Sequence, residues 1–296
     1  MYDTILLPVD GSDATATPVE GAIAVAERFE SHLHVLHVAE RWELPADVDE
    51  ELLESMVRYG DVIVGDVEEQ AIEAGIAVTT AVVESDEPTH EAIVDYADEH
   101  DVDCIVMGTH GRTGAVRFAL GSVTERTLRV SPVPVITVPA DGVLDPAFER
   151  ILVPTDGSEG ARAAAEHAID LAGNTDAALH VVHVVDVGAV GFEGGSPGVL
   201  EALEESGRNA IDEVVDRSTE ADLEAVEATV LSGTTARAIL DYAEERDVDC
   251  IVMGTHGRTG VGRLLLGSVA ERVVRLADVP VVGVKAVDVI DGDTAK

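Results

Sequence analysis

The sequence predicts an α/β protein made of two similar repeats, each with a parallel sheet covered by helices on both faces. The segment from Asp101 to Gly114 recurs without a change from Asp247 to Gly260, an offset of 146 residues. Apolar runs alternate with longer amphipathic stretches, and the runs are continuously apolar, as in strands buried on both faces. A period of this length is a whole duplicated domain rather than a solenoid unit.

Local patterns predict the elements of the first repeat in chain order. Short apolar runs predict strands at Thr4–Asp10, His32–Val38, Ala77–Val83, Asp103–Gly108 and Pro134–Val138. Helices are predicted over positions 15–30, where Val19, Ile23, Ala26 and Phe29 have helical spacing, over Val48–Gly75, which ends at a glycine, over Pro88–His100, and from Ser122.

The second repeat follows the same plan from Arg150 to Val284. Ala140–Ala147, with Gly142 and Pro146, is the predicted linker. We therefore expect one domain over residues 1–142, a second over residues 147–286 and a C-terminal tail at 287–296.

The repeats differ after the second strand. The first has Glu40–Pro45 there, and the second has the glycine-rich segment Gly188–Gly198. That composition predicts flexibility. A lid over a ligand site and a loose loop are both consistent with it, and the loose loop is favoured.

The charge of the chain restricts its binding partners and indicates the salt conditions in which it works. The formal net charge is −39, yet the hydrophobic content of 46% excludes a disordered chain. Only two of the 19 basic residues are lysines, Lys285 and Lys296. Such an acidic surface predicts a protein from a salt-accumulating halophile, because salt screens self-repulsion; an ordinary acidic cytosolic protein is the alternative. Nucleic acid is disfavoured as a partner, since it requires clustered basic residues.

Cysteine usage and hydropathy indicate a cytoplasmic protein. Cys104 and Cys250 are equivalent positions inside apolar runs, which predicts buried thiols rather than a disulfide. No signal peptide precedes the first strand, and no apolar run approaches the ~20 residues of a membrane span.

A glycine pattern follows the fourth strand of each repeat. It reads Gly108-x2-Gly111-x9-Gly121-Ser122 in the first repeat and Gly254-x2-Gly257-x9-Gly267-Ser268 in the second. Glycines let backbone N–H groups approach an anion, and a helix N-terminus adds a positive dipole end. Ser122 with Glu125, and Ser268 with Glu271, predict capping boxes. A tight turn would explain one copy, whereas two intact copies indicate phosphate binding.

Other nucleotide and catalytic motifs are missing from the sequence. There is no Gly-Lys-Ser/Thr of a P-loop and no Gly-x-Gly-x-x-Gly of a dinucleotide site. Ser12 and Ser158 follow the strand-one aspartates without a nucleophile elbow.

The histidines do not form a predicted metal site either. His34 and His37 lie three apart on a strand, so they point to opposite faces, as do His180 and His183. No Cys/His cluster suits zinc. The loop histidines His110 and His256 could contact a ligand or be exposed to solvent, and solvent exposure is the favoured interpretation.

With these motifs the chain resembles a tandem universal stress protein almost from end to end. The glycine signature is typical of the ATP-binding branch of that family. The resemblance implies a Rossmann-like (adenine nucleotide alpha hydrolase-like) fold with strand order 3-2-1-4-5 in each repeat. That order puts the topological switch between strands one and four, whose ends are Asp10 and Gly108.

The resemblance also implies a set of nucleotide-binding residues. Arg112 and Arg258 are equally consistent with charge neutralisation and with plain loop surface. Asp10 and Asp156 would face the adenine or ribose, with Pro8, Val9, Pro154 and Thr155 lining that wall, Val38 and Val184 meeting the base, and Met107 and Met253 near the nucleoside. The phosphates would meet Gly108, Gly111, Gly121, Ser122 and Val123, and in the second repeat Gly254, Gly257, Gly267, Ser268 and Val269.

The implied function is a stress-response module that holds ATP, ADP or AMP, with Mg²⁺ possible beside the triphosphate. No general base, arginine finger or acidic pair for Mg²⁺ is evident, so we expect binding without efficient turnover. A slow ATPase or phosphotransferase using Ser122 or a loop histidine is the alternative. A third possibility is a purely structural tandem protein whose sites bind no ligand.

The fifth strands predict how the repeats assemble. Val133–Val138 and Val279–Val284 are apolar edge strands, which need cover. Single domains of the resembling family dimerise through this strand. We therefore expect the two repeats to pair with each other, and a further homodimer stays open.

Overall fold

The computed structural model describes residues 1–12, 15–41, 50–110, 120–186, 197–257 and 265–286. In the first repeat, strands and helices alternate as the sequence predicts, and element ends differ from the predicted ones by at most two residues. The strands are β1 Thr4–Pro8, β2 His32–Glu40, β3 Val78–Ser85, β4 Cys104–Gly108 and β5 Val135–Val138. The helices are α1 Ala16–Phe29, α2 Glu50–Glu73, α3 Thr89–Glu99 and α4 Ser122–Val130.

The second repeat has the same order of elements. Its strands are β6 Arg150–Pro154, β7 Ala178–Val185, β8 Val226–Ser232, β9 Cys250–Gly254 and β10 Val281–Val284. Its helices are α5 Glu159–Thr175, α6 Pro197–Glu220, α7 Thr235–Glu245 and α8 Ser268–Leu276. Most of the predicted lid or loop, at 187–196, lies outside the described residues, as do 42–49 and the expected tail at 287–296.

The ten strands form one sheet in the order β3-β2-β1-β4-β5-β10-β9-β6-β7-β8. Within each repeat the order is 3-2-1-4-5 and neighbouring strands run parallel. β5 and β10 join the repeats antiparallel, with Ile136 opposite Val282. The predicted pairing of the two repeats is confirmed, and it gives both apolar edges a partner.

Helices cover both faces of the sheet. Ile5 and Leu7 of β1 belong to the apolar layer under α1 and α2, while Leu6 belongs to the layer with α3 and α4. Successive strand residues point to opposite faces, so both must be apolar when both faces are covered. This burial explains the continuously apolar strands of the sequence.

The two cysteines and the lengths of the apolar helices can be compared with the sequence expectations. Cys104 and Cys250 are buried and not disulfide-bonded. Burial raises the pKa of both thiols, so they are poor nucleophiles. In the described ranges, no helix is both long and apolar enough to cross a membrane.

Candidate functional site

A cavity of about 400 Å³ opens at the carboxyl ends of β1, β2 and β4 in the first repeat. The strand order reverses between β1 and β4, which is where ligands bind in open α/β sheets. Gly111 and Arg112 lie outside the described residues. The other predicted residues of this repeat all line the cavity: Pro8, Val9, Asp10, Val38, Met107, Gly108, Gly121, Ser122 and Val123.

The second repeat has a smaller cavity, of about 280 Å³, at the equivalent place. Helix α5 packs closely there, since a Cβ on Gly160 would lie 2.5 Å from the carbonyl oxygen of His256. Arg258 lies outside the described residues. The cavity is lined by the remaining predicted residues, Pro154, Thr155, Asp156, Val184, Met253, Gly254, Gly257, Gly267, Ser268 and Val269.

The predicted capping boxes are wrong. The N-cap residue of α4 is Gly121, with extended backbone at φ −61° and ψ 137°, and no side chain caps the helix. Its carbonyl already accepts a hydrogen bond from the N–H of Glu125 at 2.9 Å, so Ser122 lies inside the helix. Gly267 takes the same position before α8. The sequence was ambiguous because glycine and serine are both accepted N-cap residues.

The first turn of α4 faces the cavity with backbone donors that have no acceptor inside the helix. Helix geometry leaves the N–H groups of Ser122, Val123 and Thr124 without an intrahelical acceptor, and all three residues line the cavity. A Cβ on Gly121 would lie 3.3 Å from the carbonyl oxygen of Thr109, so glycine allows the start of α4 to pack closely against the end of the β4 segment. The first turn of α8 lines the second cavity in the same way. Each cavity therefore contains a helix N-terminus suited to an anion.

His110 is not solvent-exposed, contrary to the favoured expectation. It is half-buried, lines the first cavity, and its Nδ1 lies 2.9 Å from Oγ1 of Thr109. Its Nε2 is buried and has no hydrogen-bond partner among the residues the structure describes. A buried nitrogen in a cavity wall favours contact with an occupant. His256 is half-buried in the second cavity, with the same bond to Thr255.

A short turn orients the aspartate after the first strand of each repeat. The N–H of Ser12 donates to Oδ1 of Asp10 at 2.9 Å, and the N–H of Ser158 donates to Oδ1 of Asp156 at 2.9 Å. Such Asx turns fix the carboxylate relative to the backbone. Both aspartates line their cavities, where each carboxylate is an acceptor for a hydroxyl or amine of an occupant.

Two histidines that the sequence reasoning did not assign to the site support its walls. Nδ1 of His37 lies 2.9 Å from the carbonyl oxygen of Val9, and Nδ1 of His183 lies 2.8 Å from that of Thr155. Their shared offset of 146 residues was the signal for this common role. Other cavity residues missed from the sequence are Thr124 and Arg126, which follow the glycine pattern on α4. The rest come from elements distant from that pattern: Thr15, Leu36, Glu40, Thr89, His90 and Ile93.

The other histidine of each strand pair lies on the opposite face, as predicted. Nδ1 of His34 lies 2.9 Å from the phenol oxygen of Tyr96, and His180 makes the same contact with Tyr242 at 3.0 Å. Burial lowers the pKa of both histidines. Across the described ranges, no group of three or more His, Cys, Asp or Glu side chains is arranged to hold a metal ion.

A third depression, of about 590 Å³, lies beside α2 and does not resemble an anion site. Its arginines are already paired with carboxylates. Arg41 lies 3.3 Å from Glu84, and Arg58 lies 3.2 Å from Glu54. The two cavities at the strand ends are therefore the stronger candidates.

Comparison with known proteins gives the same family for both repeats. The model of the universal stress protein family matches residues 1–139 and again residues 147–285. A universal stress protein of Methanocaldococcus jannaschii is 42% identical over 141 residues, 47% of this chain and 82% of that protein. One of Bacillus subtilis is 29% identical over 149 residues, 47% of this chain and 99% of that protein. A solved universal stress protein of Archaeoglobus fulgidus, 27% identical, has a TM-score of 0.72 and covers 96% of this chain and 97% of that chain.

Proposed function

Because the chain belongs to the universal stress protein family, we propose that it is a stress-response module that binds an adenine nucleotide in each repeat. The observation that carries the proposal is the pair of matched cavities at the topological switch points. Each combines a glycine-capped helix N-terminus with an aspartate held by an Asx turn. An anion site and a polar acceptor in one cavity suit the phosphate and ribose of a nucleotide.

The residues of the first cavity fit a nucleotide along its length. The N–H groups at Ser122 and Val123 would hold phosphate, and Asp10 would accept from the ribose or base. Val38 and Met107 would supply the apolar wall for the nucleoside. A volume of about 400 Å³ lies within the range of ligand pockets, about 300–1,000 Å³, and the second cavity, of about 280 Å³, lies just below that range.

The charge of a triphosphate needs compensation in a chain of net charge −39. In the first cavity the dipole of α4 and the guanidinium of Arg126, which lines the wall, would supply it. Gly111, Arg112 and Arg258 remain proposed members of the sites. Mg²⁺ would enter bound to the phosphates, since this ion usually keeps several waters and few protein ligands.

Calorimetry in molar KCl tests the binding proposal directly, together with identification of any nucleotide that co-purifies with the protein. Binding of ATP, ADP or AMP at about two sites per chain is the expected result. No binding of any of the three would reject the proposal.

We propose binding without efficient turnover, and radiolabelled ATP tests this part. The alternative, a slow ATPase or phosphotransferase, would use Ser122 or His110. Product formation by the unmodified chain should equal that of the Ser122→Ala and His110→Ala variants. A rate that is present in the unmodified chain and lost in both variants would establish the enzyme instead.

The proposal includes a setting that the acidic composition supports: the cytoplasm of a salt-accumulating cell. We also propose domain limits of 1–142 and 147–286, with the sites acting independently of any tail. A homodimer would use surfaces other than β5 and β10, which are already paired with each other.

A further inference from the structure

The two cavities differ in one buried histidine. His90 is the second residue of α3, lines the first cavity and is only 7% exposed. At the offset of 146 residues stands Ala236, the second residue of α7. Ala236 is not among the residues that line the second cavity, so the imidazole of the first site has no counterpart there.

The contacts of the His90 imidazole can be judged only against the residues that the structure describes. Oε1 of Glu91 lies 3.8 Å from Nε2 of His90, beyond hydrogen-bond distance. Among the described residues no hydrogen bond to this side chain is found. Although the side chain as a whole is buried, neither of its nitrogens is a fully buried atom without a partner. The imidazole can therefore be reached from the cavity that it lines.

The charges around His90 favour its neutral form. Burial lowers its pKa, Arg126 and Arg129 lower it further, and Glu91 opposes them. A neutral imidazole has one N–H donor and one nitrogen acceptor. Because the two ring nitrogens point in diverging directions, the imidazole can make one hydrogen bond to a given edge of a partner, as donor or as acceptor.

Neighbouring groups put His90 at the nucleoside end of the cavity. Oγ1 of the adjacent Thr89 donates to Oε1 of Glu40. Glu40 is the last residue of β2, two positions after Val38, and both line the cavity. The helix N-terminus suited to phosphate belongs to α4, a different segment. Glu40 and His90 thus line the same cavity as Val38, on the side where the base is proposed to lie.

We propose that His90 is a specificity-determining contact to the adenine base, and that it makes the first site tighter and more selective than the second. This inference rests on the proposed function. The edge of adenine presents a ring nitrogen acceptor beside an exocyclic amine donor. The imidazole N–H can donate to the ring nitrogen, while the Glu40 carboxylate can accept from the amine. The Glu40 carboxylate only accepts hydrogen bonds. A base with oxygen in place of the amine, as in inosine triphosphate, is therefore disfavoured at this site.

Calorimetry in molar KCl tests the proposal in a Gly267→Val background, where only the first site reports. His90→Ala should weaken ATP and adenosine alike by about tenfold, the effect of 1.4 kcal/mol. Tripolyphosphate should bind within about twofold of the parent, since the phosphate site is intact. The preference for ATP over inosine triphosphate should fall to that of the second site, measured in a Gly121→Val chain. His90→Gln, which keeps a donor and an acceptor, should recover most of the affinity.

His100→Ala is the matched control, because it removes an imidazole from the other end of the same helix, where His100 stacks on Tyr96. It should leave all affinities unchanged. Unaltered adenosine binding by a folded His90→Ala chain would overturn the proposal. An equal loss for tripolyphosphate would also overturn it, by moving His90 to the phosphates. If the Gly267→Val parent and the Gly121→Val chain bind no adenine nucleotide, the proposed function itself fails, and this inference fails with it.

Discussion

The phenol oxygen of Tyr2 in the first repeat lies 2.8 Å from Nε2 of His167 on α5 of the second repeat. Tyr2 is fully buried, and burial lowers the pKa of His167 to about 4. The imidazole is therefore neutral near pH 7, and its Nε2 accepts the hydrogen bond from the phenol, whose own pKa burial raises. This contact ties the repeats together on one face of the sheet, in addition to the β5–β10 pairing.

Acid should weaken this tie within a defined pH window. The pKa of His167 is about 4 in the fold and 6.5 in the unfolded chain. Its contribution to stability is thus complete above pH 6.5 and is lost as the pH falls from 6.5 to 4, by up to about 3 kcal/mol. Urea unfolding at constant molar KCl measures the loss.

His167→Gln is the control for this prediction, because glutamine can accept from Tyr2 but does not titrate. Carboxylates also protonate near pH 4, so the informative quantity is the difference in unfolding free energy between the two chains. That difference should change between pH 6.5 and 4. A constant difference would show that His167 titrates as it does in the unfolded chain.

Two glycines of α2 should respond oppositely to alanine. A Cβ on Gly60 would lie 2.7 Å from Cδ2 of His37, whereas nothing lies within 4 Å of one on Gly65. His37 is held by its bond to Val9, so Gly60→Ala should destabilise the fold by about 1–3 kcal/mol. Gly65→Ala should stabilise it by about 0.5–1 kcal/mol. Changes of the same sign in urea unfolding would contradict this packing of α2 on β2.

Dilute buffer should destabilise the whole chain. A net charge of −39 on 296 residues produces strong self-repulsion, and a screening length of about 10 Å at 0.1 M salt does not quench it. The melting temperature should therefore rise from dilute buffer to molar KCl. Equal melting temperatures in the two buffers would reject the halophilic interpretation of the composition.

The fold could be predicted largely from the sequence because its signals are local or repeated. The copy of Asp101–Gly114 at Asp247 revealed the duplication, and apolar runs on doubly covered strands located the sheet. The antiparallel junction followed from the two apolar fifth strands, which required a partner. Element ends were less certain, since β2 continues to Glu40 through residues with no clear strand signal.

The candidate site could be predicted from the sequence only where its residues lie close together in the chain or at the ends of strands. Asp10 follows β1 and Gly108 ends β4, so their place at the switch point follows from strand order. Thr89 and His90 reach the cavity from the start of α3, and no spacing relates them to the glycine pattern. The capping boxes failed for another reason, because Gly121 and Ser122 are both acceptable N-cap residues and only the backbone decides between them.

The position of Ser122 as the first helical residue changes what its removal should do. Since Gly121 caps the helix, Ser122→Ala should leave the free energy of unfolding within about 0.5 kcal/mol. ATP affinity should fall modestly, because one hydroxyl is lost while the backbone donors stay. Adenosine, which has no phosphate, should bind unchanged. A loss of stability of about 1 kcal/mol or more would show that Ser122 is the capping residue after all.

The stoichiometry of ATP binding by a Gly121→Val chain tests the two-site account most directly. Any residue can adopt the backbone conformation of Gly121, at φ −61°, although a valine Cβ would lie 3.3 Å from the carbonyl oxygen of Thr109. In a folded Gly121→Val chain, valine should obstruct the approach of phosphate to the N–H groups of α4. Calorimetry in molar KCl should show a fall from about two ATP per chain to about one, with Gly267→Val giving the reciprocal loss and the double variant binding none. Two sites of undiminished affinity in the Gly121→Val chain would contradict the account and leave this corner as only a turn.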